Sequence, residues 1–193
     1  MKTWLLRLTL VLSSLALFSY TKHPSRAKSK SSSASVSRSL AFPVKGSKSR
    51  IKDVWGASRG GGIRRHKGID IHAKKGTPVV AISDGVIVEK ARMPIGGKTL
   101  WLKSDRYGWK AYYAHLDKQL VKEGQHVKKG QVIGTIGNTG NARTTPSHLH
   151  FGIAGSKGWI NPMPYVKNAP KVAAAKTNKK KSATSRSKSR KRR

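Results

Sequence analysis

Asn138-Thr139-Gly140-Asn141-Ala142-Arg143-Thr144-Thr145-Pro146-Ser147-His148-Leu149-His150-Phe151-Gly152 begins as a loop and ends as a strand. Gly, Asn and Pro punctuate its first half and supply the backbone dihedrals that turns need. From His148 to Ile153 the apolar and aromatic residues suit a pleated, half-buried surface. Side chains at i and i+2 of a strand share a face. His148 and His150 therefore project together, roughly 6.5–7 Å apart at about 3.3 Å per residue. That spacing suits one small reaction centre, with one ring on a metal and the other handling a proton beside it.

Working outward, the same texture continues from about Leu40-Ala41-Phe42-Pro43-Val44 to Val166: short apolar runs separated by Gly, Pro, Asn and Asp. Val79–Ile82, Gly85–Val88, Thr99–Leu102, Lys110–Leu116 and Val132–Ile136 read as successive strands before the His148 strand. No window holds a helical period of 3.6 residues for three turns. Many short strands with Gly-rich turns predict a mainly β, mostly antiparallel single domain over residues 41–166, long enough for its own core.

The flanks differ in composition. Of 193 residues, 41 are Lys or Arg and 7 are Asp or Glu. All seven acids lie between Asp53 and Glu123, and the basic residues continue to both ends. Such a charge draws the molecule to polyanions, or serves solubility and non-specific adhesion alone. Residues 1–21 read as an export signal: Lys2 and Arg7 precede an apolar run, Leu8 to Tyr20, shorter than the ~20 residues of a bilayer span. An uncleaved anchor is the alternative, and membrane contact is expected through this segment only. Residues 22–40 and 167–193, rich in Ser, Lys and Arg, predict disordered basic arms. There is no Cys, which excludes disulfides, thiolate zinc sites and a cysteine nucleophile.

A second informative stretch is Arg64-Arg65-His66-Lys67-Gly68-Ile69-Asp70-Ile71-His72. An imidazole nitrogen and a carboxylate oxygen are suitable zinc ligands at about 2.0–2.2 Å. A straight strand would hold His66 and Asp70 about 13 Å apart, so Gly68 must let the chain bend. A third ligand has to come from elsewhere, and the strand with two histidines on one face is the natural donor. Three protein ligands leave a coordination place for water, the open arrangement of a hydrolytic zinc.

With these residues the chain resembles the lysostaphin-like zinc metallopeptidases (peptidase family M23). The resemblance covers about residues 42–165 and rests on His66-Lys67-Gly68-Ile69-Asp70-Ile71, Gly76-Thr77-Pro78-Val79-Val80-Ala81 and Asp84-Gly85-Val86. It continues through Tyr113-Ala114-His115-Leu116, Val127 to Gly134 and His148-Leu149-His150-Phe151-Gly152. It implies the compact antiparallel β-sheet fold of that family and a Zn2+ cofactor. By similarity His66, Asp70 and His150 are the zinc ligands, and His148 and His115 the two non-ligand histidines of the chemistry. The usual Gly-Pro before the paired histidines is Pro146-Ser147 here, and Gly152 stands where an acidic residue is common.

What this implies is an exported endopeptidase that cuts peptide cross-links of bacterial peptidoglycan, acting in the periplasm or cell envelope. No His-Glu-x-x-His motif is present, so a histidine must take the proton of the attacking water. His148 or His115 has that role and the other serves the developing oxyanion; the sequence leaves the division open. Tyr113, Asn138 and Arg143 are candidate substrate contacts, with packing and loop scaffolding as their alternatives. Tyr112 and Tyr113 alternate, so one can face the cleft while the other packs. His72 shares the face of Asp70 and reads as a bystander or a support for the ligands. The basic arms predict adhesion to anionic envelope polymers rather than nucleic acid, since no base-reading module accompanies them. Two rival functions are a non-catalytic regulator of wall hydrolases and a polyanion-binding envelope protein.

Overall fold

In chain order the strands are β1 (Arg50–Asp53), β2 (Ser58–Arg59), β3 (Arg64–Arg65), β4 (Ile69–His72), β5 (Pro78–Val80) and β6 (Gly85–Met93). They continue with β7 (Gly97–Ser104), β8 (Lys110–Gln119), β9 (His126–Val127), β10 (Val132–Ile136), β11 (His148–Gly155) and β12 (Gly158–Ile160). One helical turn, α1 (Met163–Val166), follows. The computed structural model describes residue 37 and residues 39–173. The expected export signal, most of the expected linker and residues 174–193 lie outside the described residues.

Ten strands form one sheet whose main path is β1-β4-β11-β8-β7-β6-β9, with β10 bonded to β5 and β8, and β12 to β11. Every pairing is antiparallel. The small β2–β3 hairpin stands apart. The mainly antiparallel β domain expected from the short apolar runs is what the chain forms. The strands of the hairpins extend beyond the apolar runs that announced them, because polar residues such as Glu89 and Lys90 still pair across β6 and β7.

The centre of the sheet has two faces of opposite character. On β4, Ile69 and Ile71 are fully buried, as are Leu149, Phe151 and Ile153 on β11. Alternation by two then turns Asp70, His72, His148 and His150 to the other face. Register locks the two strands: His148 lies opposite His72, Leu149 opposite Ile71 and His150 opposite Asp70. Burial of each large apolar side chain on the core face contributes about 1.5–3 kcal/mol. A one-residue slip would exchange core and site.

Both ends of the domain are tied into this core. Leu40, Phe42 and Val44 are buried in it. Ala41 donates to the Ile82 carbonyl and Val80 to the Pro43 carbonyl. Residues 167–173, expected to belong to a disordered tail, pack against the domain. Phe42 donates to Pro170, Gly46 donates to Val172, and the Lys171 ammonium lies 5.1 Å from the centre of the Phe42 ring. Ala169, 8% exposed, belongs to the same core. The Ala/Lys composition concealed this pairing because main-chain groups carry most of it. Among the described residues no helix is long and apolar enough to cross a membrane.

Candidate functional site

The polar face of β4 and β11 floors a cleft of about 1140 Å³. The bend at Gly68 carries His66 back over the start of β4. There His66 Nε2 lies 3.1 Å from Asp70 Oδ1 and 2.9 Å from His150 Nδ1, and His150 Nδ1 lies 2.9 Å from Asp70 Oδ1. Three donor atoms thus form a nearly equilateral triangle. Ligands at about 2.0–2.2 Å from one tetrahedral ion stand about 3.3 Å apart, so the triangle needs to open by only a few tenths of an ångström.

The donor chemistry fits as well. His66 Nδ1 donates to the Val54 carbonyl at 3.0 Å, which turns Nε2 towards Asp70 and His150 as the ring nitrogen that can serve a metal once it is deprotonated. Asp70 Oδ1 is an acceptor. His150 Nδ1 either carries a proton shared with those two or, deprotonated, joins them as a third lone pair aimed at one cation. Arg59 donates to Asp70 Oδ2 at 3.0 Å and to Asp53 Oδ2 at 2.5 Å. Its guanidinium therefore holds one carboxylate oxygen and leaves the other for the imidazoles. Burial raises the pKa of Asp70, but hydrogen bonds to His150 and His66 and their charge outweigh it and hold the carboxyl well below its usual range. Burial pushes the His150 imidazole down, against the pull of Asp70. The group of His66, Asp70 and His150 is one that could hold a metal ion.

Beside this triangle stand two further histidines. His148 Nδ1 donates to the Pro146 carbonyl at 2.8 Å and His115 Nδ1 to the Thr139 carbonyl at 2.9 Å. Each thus commits Nδ1 to the backbone and leaves Nε2 without a main-chain partner, and both residues line the cleft. Their rings meet edge to face with centroids 5.0 Å apart. On its other side His148 stacks on His72 at 5.1 Å and 18°. Burial depresses His72 first, followed by His148 and the charge of Lys52.

His115 reaches the cleft through a bulge. Lys98 pairs with Leu116 and Leu100 with Tyr113, so one residue of β7 faces two of β8. At the bulge His115 takes a left-handed φ of 61°, found at no other non-glycine residue described, at a cost of about 1–3 kcal/mol. Unbroken alternation from Tyr113 would put His115 in the core and Leu116 in the cleft. Instead Leu116 is fully buried. The His115 amide donates to Gly96 at 2.8 Å, which joins the bulge to the β6–β7 turn. That turn and the loop before β11 interlock: Asn141 donates to Ile95, and Thr139 Oγ1 accepts from Lys98 and donates to Leu116. Gly97 and Gly140, both at positive φ, meet backbone to backbone, and a Cβ on Gly140 would lie 2.4 Å from the Gly97 nitrogen.

Burial lowers the His115 pKa to about 4, with the Thr139 carbonyl opposing and His148 and His150 assisting. In the metal-free protein this sets a pH dependence. An unfolded histidine takes its proton near 6.5, the folded one only near 4, so between these values acidification favours unfolding. Stability present at pH 7 falls through that window by on the order of 3 kcal/mol. Asp70, depressed in the fold, adds a further loss below about pH 4. Urea midpoints of metal-free protein should drop from pH 7 to pH 4, and His115→Gln should flatten the upper part of that fall. An unchanged slope in the variant would contradict it.

Of the three residues anticipated as substrate contacts, Tyr113 faces the core, Asn138 braces its own loop and Arg143 is exposed on that loop. Tyr113 is fully buried, packs on Phe151, and its hydroxyl accepts from the Ile82 amide. Tyr112 is the tyrosine that lines the cleft. Pairing decides between them, because Phe151 of the core face opposes Tyr113. Asn138 donates its side-chain amide to the Arg143 carbonyl and braces the loop. The loop lines the cleft through Asn141, Ala142, Thr145 and Pro146 instead. Gly152 is covered by Trp159, where a Cβ would lie 2.5 Å from the indole, so a larger residue there would displace the Trp101–Tyr112–Trp159 cluster. Sequence reasoning passed over Arg59; a Gly-rich hairpin, Arg59-Gly60-Gly61-Gly62-Ile63-Arg64, was its only signal.

Comparison with known proteins places the likeness on this region. The family described as Peptidase family M23 matches residues 64–162. An uncharacterized metalloprotease of Haemophilus influenzae is 43% identical over 105 residues, covering 53% of this chain and 21% of its own length. The murein hydrolase activator NlpD of Salmonella dublin is 37% identical over 72% of this chain and 34% of its own length. This chain thus spans about a fifth to a third of these curated relatives. Among solved structures, the catalytic domain of lysostaphin from Staphylococcus simulans is 36% identical with a TM-score of 0.55, covering 61% of this chain and 92% of that one. LytU is 35% identical with a TM-score of 0.58, covering 63% and 87%.

Proposed function

The chain belongs to peptidase family M23, and from that premise we propose that it is an exported zinc endopeptidase that hydrolyses peptide cross-links of bacterial peptidoglycan. The observation that carries the reading is the triangle of His66 Nε2, Asp70 Oδ1 and His150 Nδ1, set beside two histidines with free Nε2 atoms. Zinc bound there supplies Lewis acidity, polarising an amide carbonyl and making water a nucleophile near neutral pH. The protein side chains divide the remaining work. His66, Asp70 and His150 hold the ion, and Arg59 orients Asp70. His115 is neutral at physiological pH and enters as an acceptor of the water proton. His148, clamped between His72 and His115, offers the second nitrogen, so the two can accept a proton and return it to the leaving amine. Tyr112 and Asn141 line the path of the substrate. The basic residues at both ends of the chain serve adhesion to the anionic envelope.

Relatives support the substrate class. One is named peptidoglycan DD-endopeptidase ShyC, from Vibrio cholerae, 42% identical over 92 residues, and another L-Ala--D-Glu endopeptidase, from Bacillus subtilis, 36% identical over 128 residues. Purified wall incubated with the zinc-loaded protein should yield new peptide amino groups, identified by mass spectrometry and abolished by a chelator. Wall that stays intact alone, yet is cut faster by an added amidase in the presence of this protein, would replace the reading with that of an activator.

A further inference from the structure

The cleft does not stop at the histidines. Arg50 on β1 lies directly opposite His72, which lies directly opposite His148, so the three share one row and one face of the sheet. Strands are about 4.8 Å apart, which puts the Arg50 backbone roughly 10 Å from that of His148. Lys48, two residues before β1, and Lys52, at the bulge of this edge strand, flank Arg50 in sequence. Together the three line a smaller groove of about 330 Å³ with His72 and Pro146. His72 and Pro146 also line the large cleft, so the two spaces share a wall.

The charge of this groove is unanswered from within. All seven acidic residues of the chain lie among the described residues. None forms an ion pair with Lys48, Arg50 or Lys52; the nearby Asp53 is engaged by Arg59. All three cations are exposed. Three like charges along one edge repel one another, and an anion seated between them would relieve that repulsion. Arg offers a bidentate fork and the lysines point charges.

We propose that Lys48, Arg50 and Lys52 form an anion subsite of the cleft that takes a free carboxylate of the wall peptide about three residues from the amide being cut. The spacing follows from the 10 Å above at about 3.3 Å per extended residue. Continuity with the floor of the cleft favours a carboxylate on the bound peptide over a phosphate of a separate wall polymer. This rests on the endopeptidase reading, but binding tests it without cleavage.

A fluorescently labelled cross-linked wall peptide with free carboxylates, and the same peptide with them amidated, would be titrated into the zinc-loaded full chain. The free acid should bind at least tenfold more tightly, with the preference shrinking as salt rises. The triple variant Lys48→Gln/Arg50→Gln/Lys52→Gln, checked for wild-type zinc content and thermal midpoint, should abolish the preference, and Arg50→Gln alone should reduce it threefold or more. Equal affinity of the wild type for both peptides, or a preference that survives in the triple variant, would overturn the subsite. So would loss of poly(glycerol phosphate) binding in the triple variant with the acid-over-amide preference intact. If the preference holds while neither peptide is cut, the endopeptidase reading fails and the subsite stands.

Discussion

Purified His66→Ala, Asp70→Ala and His150→Ala proteins should contain no stoichiometric zinc, whereas His115→Ala and His148→Ala should retain it, and all five should lose hydrolysis of wall peptide. The split follows from the directions of the lone pairs. His66 Nε2, Asp70 Oδ1 and His150 Nδ1 face one another at 2.9–3.1 Å, so removing one leaves two donors for an ion that needs three and a water. His115 and His148 spend Nδ1 on carbonyls of the loop before β11 and take no part in the triangle. Loss of a positioned acid–base group lowers turnover by about 10²–10⁴-fold, while loss of the ion removes the nucleophile altogether. Metal analysis of dialysed protein, paired with initial rates, distinguishes the two classes. Zinc loss of equal extent in all five variants would refute the division of labour, and full activity in His115→Ala would remove that residue from the chemistry.

The second large effect is expected at a residue with no side chain. A Cβ on Gly68 would stand 2.7 Å from both Cε1 and Nε2 of His150 and 2.7 Å from the Phe151 carbonyl. The carbonyl belongs to the β11 backbone, whose Phe151 pairs with Ile69, so it cannot retreat without breaking the sheet. The ring has to move, and its Nδ1 leaves the triangle. Gly68→Ala should therefore weaken zinc binding by more than the 10–100-fold typical of a disturbed outer partner. Strand pairing elsewhere should survive, visible as an unchanged far-ultraviolet spectrum with a lowered thermal midpoint. Competition with a chromogenic chelator measures the affinity; wild-type affinity in Gly68→Ala would show that the bend at Gly68 does not position His150.

Much of the candidate site was legible along the chain because its ligands come in short-range patterns. His148-Leu149-His150 announces a two-residue period, and the apolar residues between and after the histidines announce the core face. His66 and Asp70 are ligand types flanking a glycine. What could not be read was which cross-strand partner each would meet. Tyr112 and Tyr113 alternate equally well in either register, and only the pairing of Phe151 with Tyr113 commits Tyr113 to the core and frees Tyr112 for the cleft. Asn138 sits in the right loop, yet its side-chain amide is spent on the Arg143 main-chain carbonyl, a matter of dihedrals that composition does not record. The C-terminal boundary shifted for a similar reason, since main-chain bonds at Pro170 and Val172 leave no imprint on residue type.

Residue order by itself determined the antiparallel β architecture, the excess of positive charge, the absence of thiol chemistry and the set of histidines and carboxylates available to a metal. These follow from local periodicity and from what each side chain is. Tertiary structure alone decided that Asp70 stands opposite His150, that a bulge turns His115 out of the core, and that backbone carbonyls hold the Nδ1 protons of His66, His115 and His148. Those facts depend on registers and hydrogen bonds between segments up to 80 residues apart, and no pattern within one segment encodes its distance to another.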